Sequence, residues 1–410
     1  MTTSPAGLPR LTWAEVSSRR LSRSGLAEPA RDARPARDGG PARDAGPARD
    51  AGPADVVAAM CGAHAQVLAA AELSVGLRLA GGTRADVRDA LWVERSLVKT
   101  FGPRGTVHLL PARDLALWAG ALAAIPAPAG GLPRDRRLTA GQLDEVFAAI
   151  AGALEAAELT IDELSEAVIG TAGPWAGDLV VPGFGDMWPR WRQALPLAGA
   201  RGVLCFGPSR ARRVTYTSPH RWQPGFRPLG GPAAVRELAR RYLHAYGPAT
   251  PQNFAQWLGA PRPWAGEVFA ALAGELQQVD LEGSPAWQLA ADAGTRAPDA
   301  AARGVRLLPY FDAYTVAGQP RPLLFPGAAA GRALAHGQAG TFPVLLIDGT
   351  VAGVWHQRRT GRRIAITVEP LRPLTAAQRR ELGGQAERIG AILEGRPELT
   401  IGTVSVGAHA

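Results

Sequence analysis

Val235-Arg236-Glu237-Leu238-Ala239-Arg240-Arg241-Tyr242-Leu243-His244-Ala245-Tyr246, followed by Gly247-Pro248-Ala249-Thr250-Pro251-Gln252-Asn253-Phe254-Ala255-Gln256-Trp257-Leu258, is the stretch that decides the fold. Its apolar positions recur at helical spacing, which predicts a helix over 235–246. Thr250 with Pro251 behind it reads as an N-cap and first helical residue, so a second helix runs to 258. A third helix over 263–273 and strands near 276–281 and 287–289 follow. Helix, helix, helix and two-stranded wing is the winged helix-turn-helix plan, a variant of a DNA-binding motif.

Working outward, the same order recurs twice upstream. The first copy has helices over 11–26, 67–79 and 83–91 and a hairpin over 97–110 around Gly102-Pro103-Arg104-Gly105. In the second, 140–154 is helical, and Thr160 caps a helix ending near Ile169, with Asp162 and Glu163 in its first turn. Residues 187–197 are expected as its third helix, placing Trp188 and Trp191 three apart in the core. Strands over 202–216 then flank the basic turn Ser209-Arg210-Ala211-Arg212-Arg213. Downstream, 305–309, 342–349, 351–355 and 363–368 alternate in strand fashion, with Asp348-Gly349 as a tight turn, so a small antiparallel sheet or barrel is expected. A helix over 374–393 closes the chain. The division is 1–120, 121–228, 229–300 and 301–410. Residues 29–54, with Pro-Ala-Arg-Asp repeated, lack large apolar side chains and read as a disordered insertion.

Composition narrows the chemistry. No apolar run approaches the roughly 20 residues of a membrane span, and Met1 to Arg23 lacks a signal peptide's apolar core. A soluble cytoplasmic protein is expected. Cys61 and Cys205 are the only cysteines, which excludes a disulfide framework and a Cys-x-x-Cys zinc site, and the seven histidines do not cluster; neither metal nor cofactor is expected. A net charge of +9 favours an anionic partner, nucleic acid above all. Lys99 is the only lysine, so Schiff-base chemistry has a single side-chain candidate.

His64-Ala65-Gln66 stands out because two side chains able to hold water lie two residues apart. On a helix they would diverge; in an extended or turn segment they share a side. Residues 62–66 are therefore expected as a loop, eased by Gly62, with a helix starting near Val67. His64 reads either as a water-handling group or as a packed loop histidine.

Cys61-Gly62-Ala63-His64-Ala65-Gln66, Arg95-Ser96-Leu97-Val98-Lys99-Thr100, Arg104-Gly105-Thr106-Val107-His108, Arg240-Arg241-Tyr242-Leu243, Ala245-Tyr246-Gly247-Pro248-Ala249-Thr250 and Leu307-Leu308-Pro309-Tyr310-Phe311-Asp312 together resemble the AlkZ and YcaQ family of winged-helix DNA glycosylases. The resemblance implies an α+β protein of three tandem winged helix-turn-helix domains around a small β-barrel, forming a basic channel for duplex DNA. It implies removal of alkylated purines, including bulky N7-guanine adducts and, in AlkZ-like members, interstrand crosslinks. The family's catalytic motif is Gln-x-Gln or Gln-x-Asp; here His64 takes the first position and Gln66 keeps the second. A monofunctional glycosylase acting as a monomer on double-stranded DNA is therefore expected, with His64 and Gln66 catalytic, in the setting of self-resistance to a genotoxic natural product. Candidate DNA contacts are Arg104 and His108, Arg210, Arg212 and Arg213 on the second wing, and Arg358, Arg359, Arg362 and Arg363 at a hairpin tip. Each basic turn reads equally as an ordinary solvated turn, and His108 as a packed residue. The alternatives are a non-enzymatic winged-helix regulator and a lesion sensor.

Overall fold

The computed structural model describes residues 7–27, 30–31, 51–126, 132–183, 185–295 and 302–408, so the expected insertion falls largely outside the described residues. β1 (Arg10–Leu11) leads into α1 (Trp13–Arg23). Thr12 caps α1 reciprocally with Glu15, satisfying two backbone donors at the helix start. After β2 (Ala30–Arg31), α2 (Pro53–Ala59) begins on Pro53, inside the stretch expected to be disordered. β3 (Ala63–His64), α3 (Leu68–Gly76), β4 (Leu79–Ala80) and α4 (Arg84–Trp92) follow. β5 (Leu97–Phe101) and β6 (Val107–Pro111) form the expected hairpin, with β3 added beside β6, and α5 (Leu115–Ala123) ends this region.

The second region starts with α6 (Ala140–Leu154), which has the expected bounds. After β7 (Leu159–Thr160) comes α7 (Ile161–Ala172), capped by Thr160 with Glu163. The helix expected over 187–197 does not form. A strand pair, β8 (Leu179–Pro182) and β9 (Met187–Pro189), a short 3-10 turn and α8 (Leu195–Ala200) occupy the region instead. Pro189 explains the difference, because it lacks an N–H and pushes Trp188 out of helical backbone. Trp191 is nonetheless core, its indole N–H donating to Ser165. β10 (Cys205–Arg210) and β11 (Arg213–Thr217) pair across the basic turn.

The third region has three helices and an antiparallel hairpin: α9 (Gly231–Tyr246), α10 (Pro251–Leu258), α11 (Arg262–Ala270), β12 (Leu276–Leu281) and β13 (Ser284–Leu289). β1 joins β12 in parallel. α1 follows it there, although the sequence placed that helix in residues 1–120. Trp13 N–H donates to Glu282 at 2.7 Å, Arg19 to Gln288 at 2.8 Å, and Arg23 grips Asp292 with two bonds. Arg20, 1% exposed, donates to the carbonyls of Pro248 and Gln319.

The fourth region runs β14 (Val305–Leu308), the short helices α12 (Ala313–Ala317), α13 (Arg321–Leu324) and α14 (Ala328–Ala333), then β15 (Val344–Ile347), β16 (Thr350–Thr360), β17 (Arg363–Pro370), α15 (Ala376–Ile392) and β18 (Arg396–Ile401). The sheet order is β14-β15-β16-β17-β18, with β14 and β18 at its edges. It is thus a half-barrel rather than a closed barrel, and α15 packs along β14 and β18, burying Leu382, Ile389 and Ile392 in the same core as Ile364 and Val368. Asp348 and Gly349, both at positive φ, make the expected turn. The described residues form two hydrophobic cores. α3 serves both, sending Ala71 and Val75 into one and Leu73 and Leu77 into the other. Gly76 is required there, since a Cβ would lie 2.6 Å from Ile392. The loop carrying His64 is thereby fixed between the two cores.

Candidate active site

Backbone turning places His64 with little freedom. α2 ends in Cys61 and Gly62 at φ 53° and 91°, which swings the chain into β3. His64 then pairs with His108 on β6, and α3 starts directly after Val67, as the sequence predicts. The His64 ring stacks on Phe311 with centroids 4.4 Å apart and meets His108 edge-on at 5.0 Å. It lines a cavity of about 280 Å³ walled by α10, by residues 316–321 and by residues 337–341.

That environment sets the protonation state. Burial, helped by the Arg104 charge, lowers the His64 pKa to about 4. His108 is also driven well below the ordinary histidine range, mainly by burial, and its Nδ1 bonds to the Thr106 carbonyl at 2.9 Å. Both rings are neutral at pH 7. His64 Nδ1 is buried and has no hydrogen-bond partner among the described residues. An uncharged imidazole facing a cavity can hold water as an acceptor, but it is not the cation or the strong base that an unperturbed value near 6.5 would allow.

Gln66 has different surroundings from His64. β3 ends at His64, and Gln66 is exposed, with its carboxamide oxygen accepting the Val107 N–H at 3.3 Å. It is not among the residues lining the cavity, so the two side chains do not converge on it. His108 is 4% exposed and meets the His64 ring edge-on. Arg104 does line the cavity, from a left-handed turn residue at φ 61°, with its guanidinium donating to the Trp257 carbonyl.

Asp312 was not picked out by sequence reasoning, yet it holds this arrangement. Its fully buried carboxylate accepts two bonds from Arg78, at 2.8 and 2.9 Å, one from Ser74 at 2.6 Å and one from the Tyr314 N–H. Ser74 and Arg78 belong to the α3 face and its end, so the segment carrying Phe311 is clamped to the helix that follows His64. Phe311 itself sits at φ 54°, strained backbone for a large side chain.

The outer arginines divide into two groups. Arg210 forms a two-bond ion pair with Glu163, whose carboxyl is held down to about 2 by the Thr160 N–H and then by Arg210. Arg213 lies 3.7 Å from Asp162, and Arg212 is exposed. At the β16–β17 tip, Arg359 donates to the Leu393 and Gly361 carbonyls and Arg363 pairs with Glu398, whereas Arg358 and Arg362 are exposed. Lys99 packs its ammonium over Phe206 at 4.8 Å and does not line the cavity. Among the described residues, no helix is long and apolar enough to cross a membrane.

Comparison with known proteins agrees with this architecture. The family model for AlkZ-like DNA glycosylases matches residues 57–392. An interstrand DNA cross-link repair glycosylase of Streptomyces sahachiroi is 32% identical over 311 residues, 73% of this chain and 81% of that protein. The solved structure of Streptomyces sahachiroi DNA glycosylase AlkZ superposes with a TM-score of 0.74 at 26% identity, covering 96% of this chain and all of the other. With a family match across most of its length and a half-barrel beside small helix-and-hairpin units, the chain belongs to the AlkZ-like DNA glycosylase family.

Proposed function

We propose that this protein is a monofunctional DNA glycosylase that hydrolyses the N-glycosidic bond of bulky N7-alkylguanine adducts in double-stranded DNA. The three helix-and-hairpin regions act as winged helices divided near residues 120, 228 and 300. The protein works as a cytoplasmic monomer and protects a bacterium from a genotoxic natural product. The observation that carries this reading is His64, neutral and held by Phe311 and His108 at the wall of a cavity. The comparison protein's cross-link repair supports an alkylated-DNA substrate.

The chemistry suits an uncharged imidazole. N7-alkylguanine is already cationic, so the C1′–N9 bond breaks with its electron pair neutralising the purine, and no general acid is needed. What remains is an oxocarbenium-like sugar awaiting water, as in glycoside hydrolysis. His64 accepts a hydrogen bond from that water and aims its lone pair at C1′. As the water adds it becomes strongly acidic, so even a weak base collects the proton late. Lys99, the only lysine, lies outside the cavity and is not placed for a lyase step.

Duplexes carrying N7-methylguanine or a bulky N7-guanine adduct, incubated with protein and heated in alkali, test the proposal. Strand breaks at the adduct that vanish with His64→Ala are expected. No break on any duplex would overturn it. Adduct binding without base release would instead support a lesion sensor, a reading favoured by the engagement of the Gln66 oxygen with the Val107 N–H.

A further inference from the structure

We propose that the cavity beside His64 is a subsite for the neutral, oxygen-bearing substituent of the adduct, read by Thr341, Gln319 and Gln256. The inference rests on the excision reading above and names the part of the substrate that this cavity takes. Thr341 is 6% exposed and lines the cavity, yet its hydroxyl has no hydrogen-bond partner among the described residues. The Arg321 Nε–H at the same wall is in the same condition. Buried polar groups are rarely left unpaired, because an unsatisfied one loses its hydration with nothing in return. A ligand with hydroxyl or carbonyl groups satisfies them.

Gln319 and Gln256 add a carboxamide wall. Gln319 Nε2 donates to Gln256 Oε1 at 3.2 Å, and Gln319 Oε1 accepts the Arg321 N–H at 3.1 Å, so both oxygens are engaged and N–H groups remain to face a ligand. Phe311, Trp257, Val316 and Ala317 supply apolar surface for a ring skeleton. The volume, about 280 Å³, falls just under the roughly 300–1,000 Å³ of pockets that hold whole small ligands, which suits one portion of a molecule.

Electrostatics separates that portion from the base. Arg104 and Arg321 both line the cavity, their guanidinium groups donating to backbone carbonyls, and no Asp or Glu lines it among the described residues. A cationic N7-alkylpurine would meet two like charges and no counter-charge. A neutral substituent carries no such penalty.

The experiment compares three duplexes: one with N7-methylguanine, one with an N7-guanine adduct bearing a neutral polyhydroxylated ring, and one with a hydrocarbon ring of similar size. Single-turnover excision and fluorescence-anisotropy binding are measured for the full-length protein, Thr341→Val and Gln319→Leu, with thermal melting as a check on folding. The expected result is that each variant loses affinity and kcat/KM for the hydroxylated adduct about tenfold more than for the other two duplexes. Equal losses on all three duplexes, or none, would overturn the subsite. Failure of the unaltered protein to excise any adduct would sink the glycosylase reading alone, because the anisotropy comparison between duplexes still tests the subsite.

Discussion

The His64 cavity and the arginine turns carry the same resemblance to a DNA-handling protein, but they are built in opposite ways. Around His64, residues distant in sequence are locked by burial: Phe311 against the ring, Asp312 clamped to Ser74 and Arg78, His108 behind. At the turns, guanidinium groups stand in solvent, and several are already paired with neighbouring carboxylates. A group fixed in a dry site gains effect from its surroundings, whereas an exposed ion pair is worth at most about 1 kcal/mol. The chemistry should therefore be sensitive to single changes in the cavity, and DNA affinity only gradually sensitive to changes in the turns.

The largest effect should come from His64→Ala, which is expected to lower single-turnover excision by about 10²–10⁴-fold with little change in duplex affinity. A smaller loss than for the tip arginines would invert the comparison. Asp312→Ala leaves Arg78 buried without its counter-charge, and urea unfolding should show a loss of about 3–5 kcal/mol.

Next comes pH. Because the His64 pKa is lowered to about 4 from its ordinary 6.5, the unfolded chain takes up a proton between those values while the folded protein does not. Stability is then full above about pH 6.5 and declines as pH falls towards 4, by about 1–2 kcal/mol between pH 7.5 and 5 for this group, with His108 acting in the same direction. Substituting His64→Phe should flatten that slope in urea melts.

Replacing Arg358 and Arg362 together by alanine should weaken duplex binding several-fold and reduce the slope of log affinity against log salt by about 2. The smallest change is expected for Arg210→Ala, with no resolvable shift in melting temperature, since its partner Glu163 is itself solvated.

The same contrast explains what could be read from the residues in order. Thr160 with Glu163 and Thr250 before Pro251 are local devices, and the helices they start were legible. So was the turn that brings His64 out of helical backbone, because Gly62 and the i, i+2 spacing belong to one short segment. Pro189 is equally local, and its break of helical backbone is why 187–197 forms a strand and turn where apolar spacing alone predicts a helix. Asp312 could not be assigned its role: its partners Ser74 and Arg78 lie 238 and 234 residues away, with no spacing rule to connect them. Gln66 illustrates the converse. Its proximity to His64 in sequence is real, but β3 stops at His64, and the carboxamide turns to the Val107 amide.

The N-terminal segment has a consequence for biosynthesis. α1 is synthesised well before the residues it binds, Pro248, Gln288, Asp292 and Gln319 through its side chains and Glu282 through the Trp13 N–H. At translation rates of about 5–20 residues per second it waits roughly 10–60 s for these partners. During that interval Trp13, Val16 and Leu21 have no core to enter. The order of synthesis therefore leaves the apolar face of α1 exposed on the nascent chain until the residues that cover it have been made.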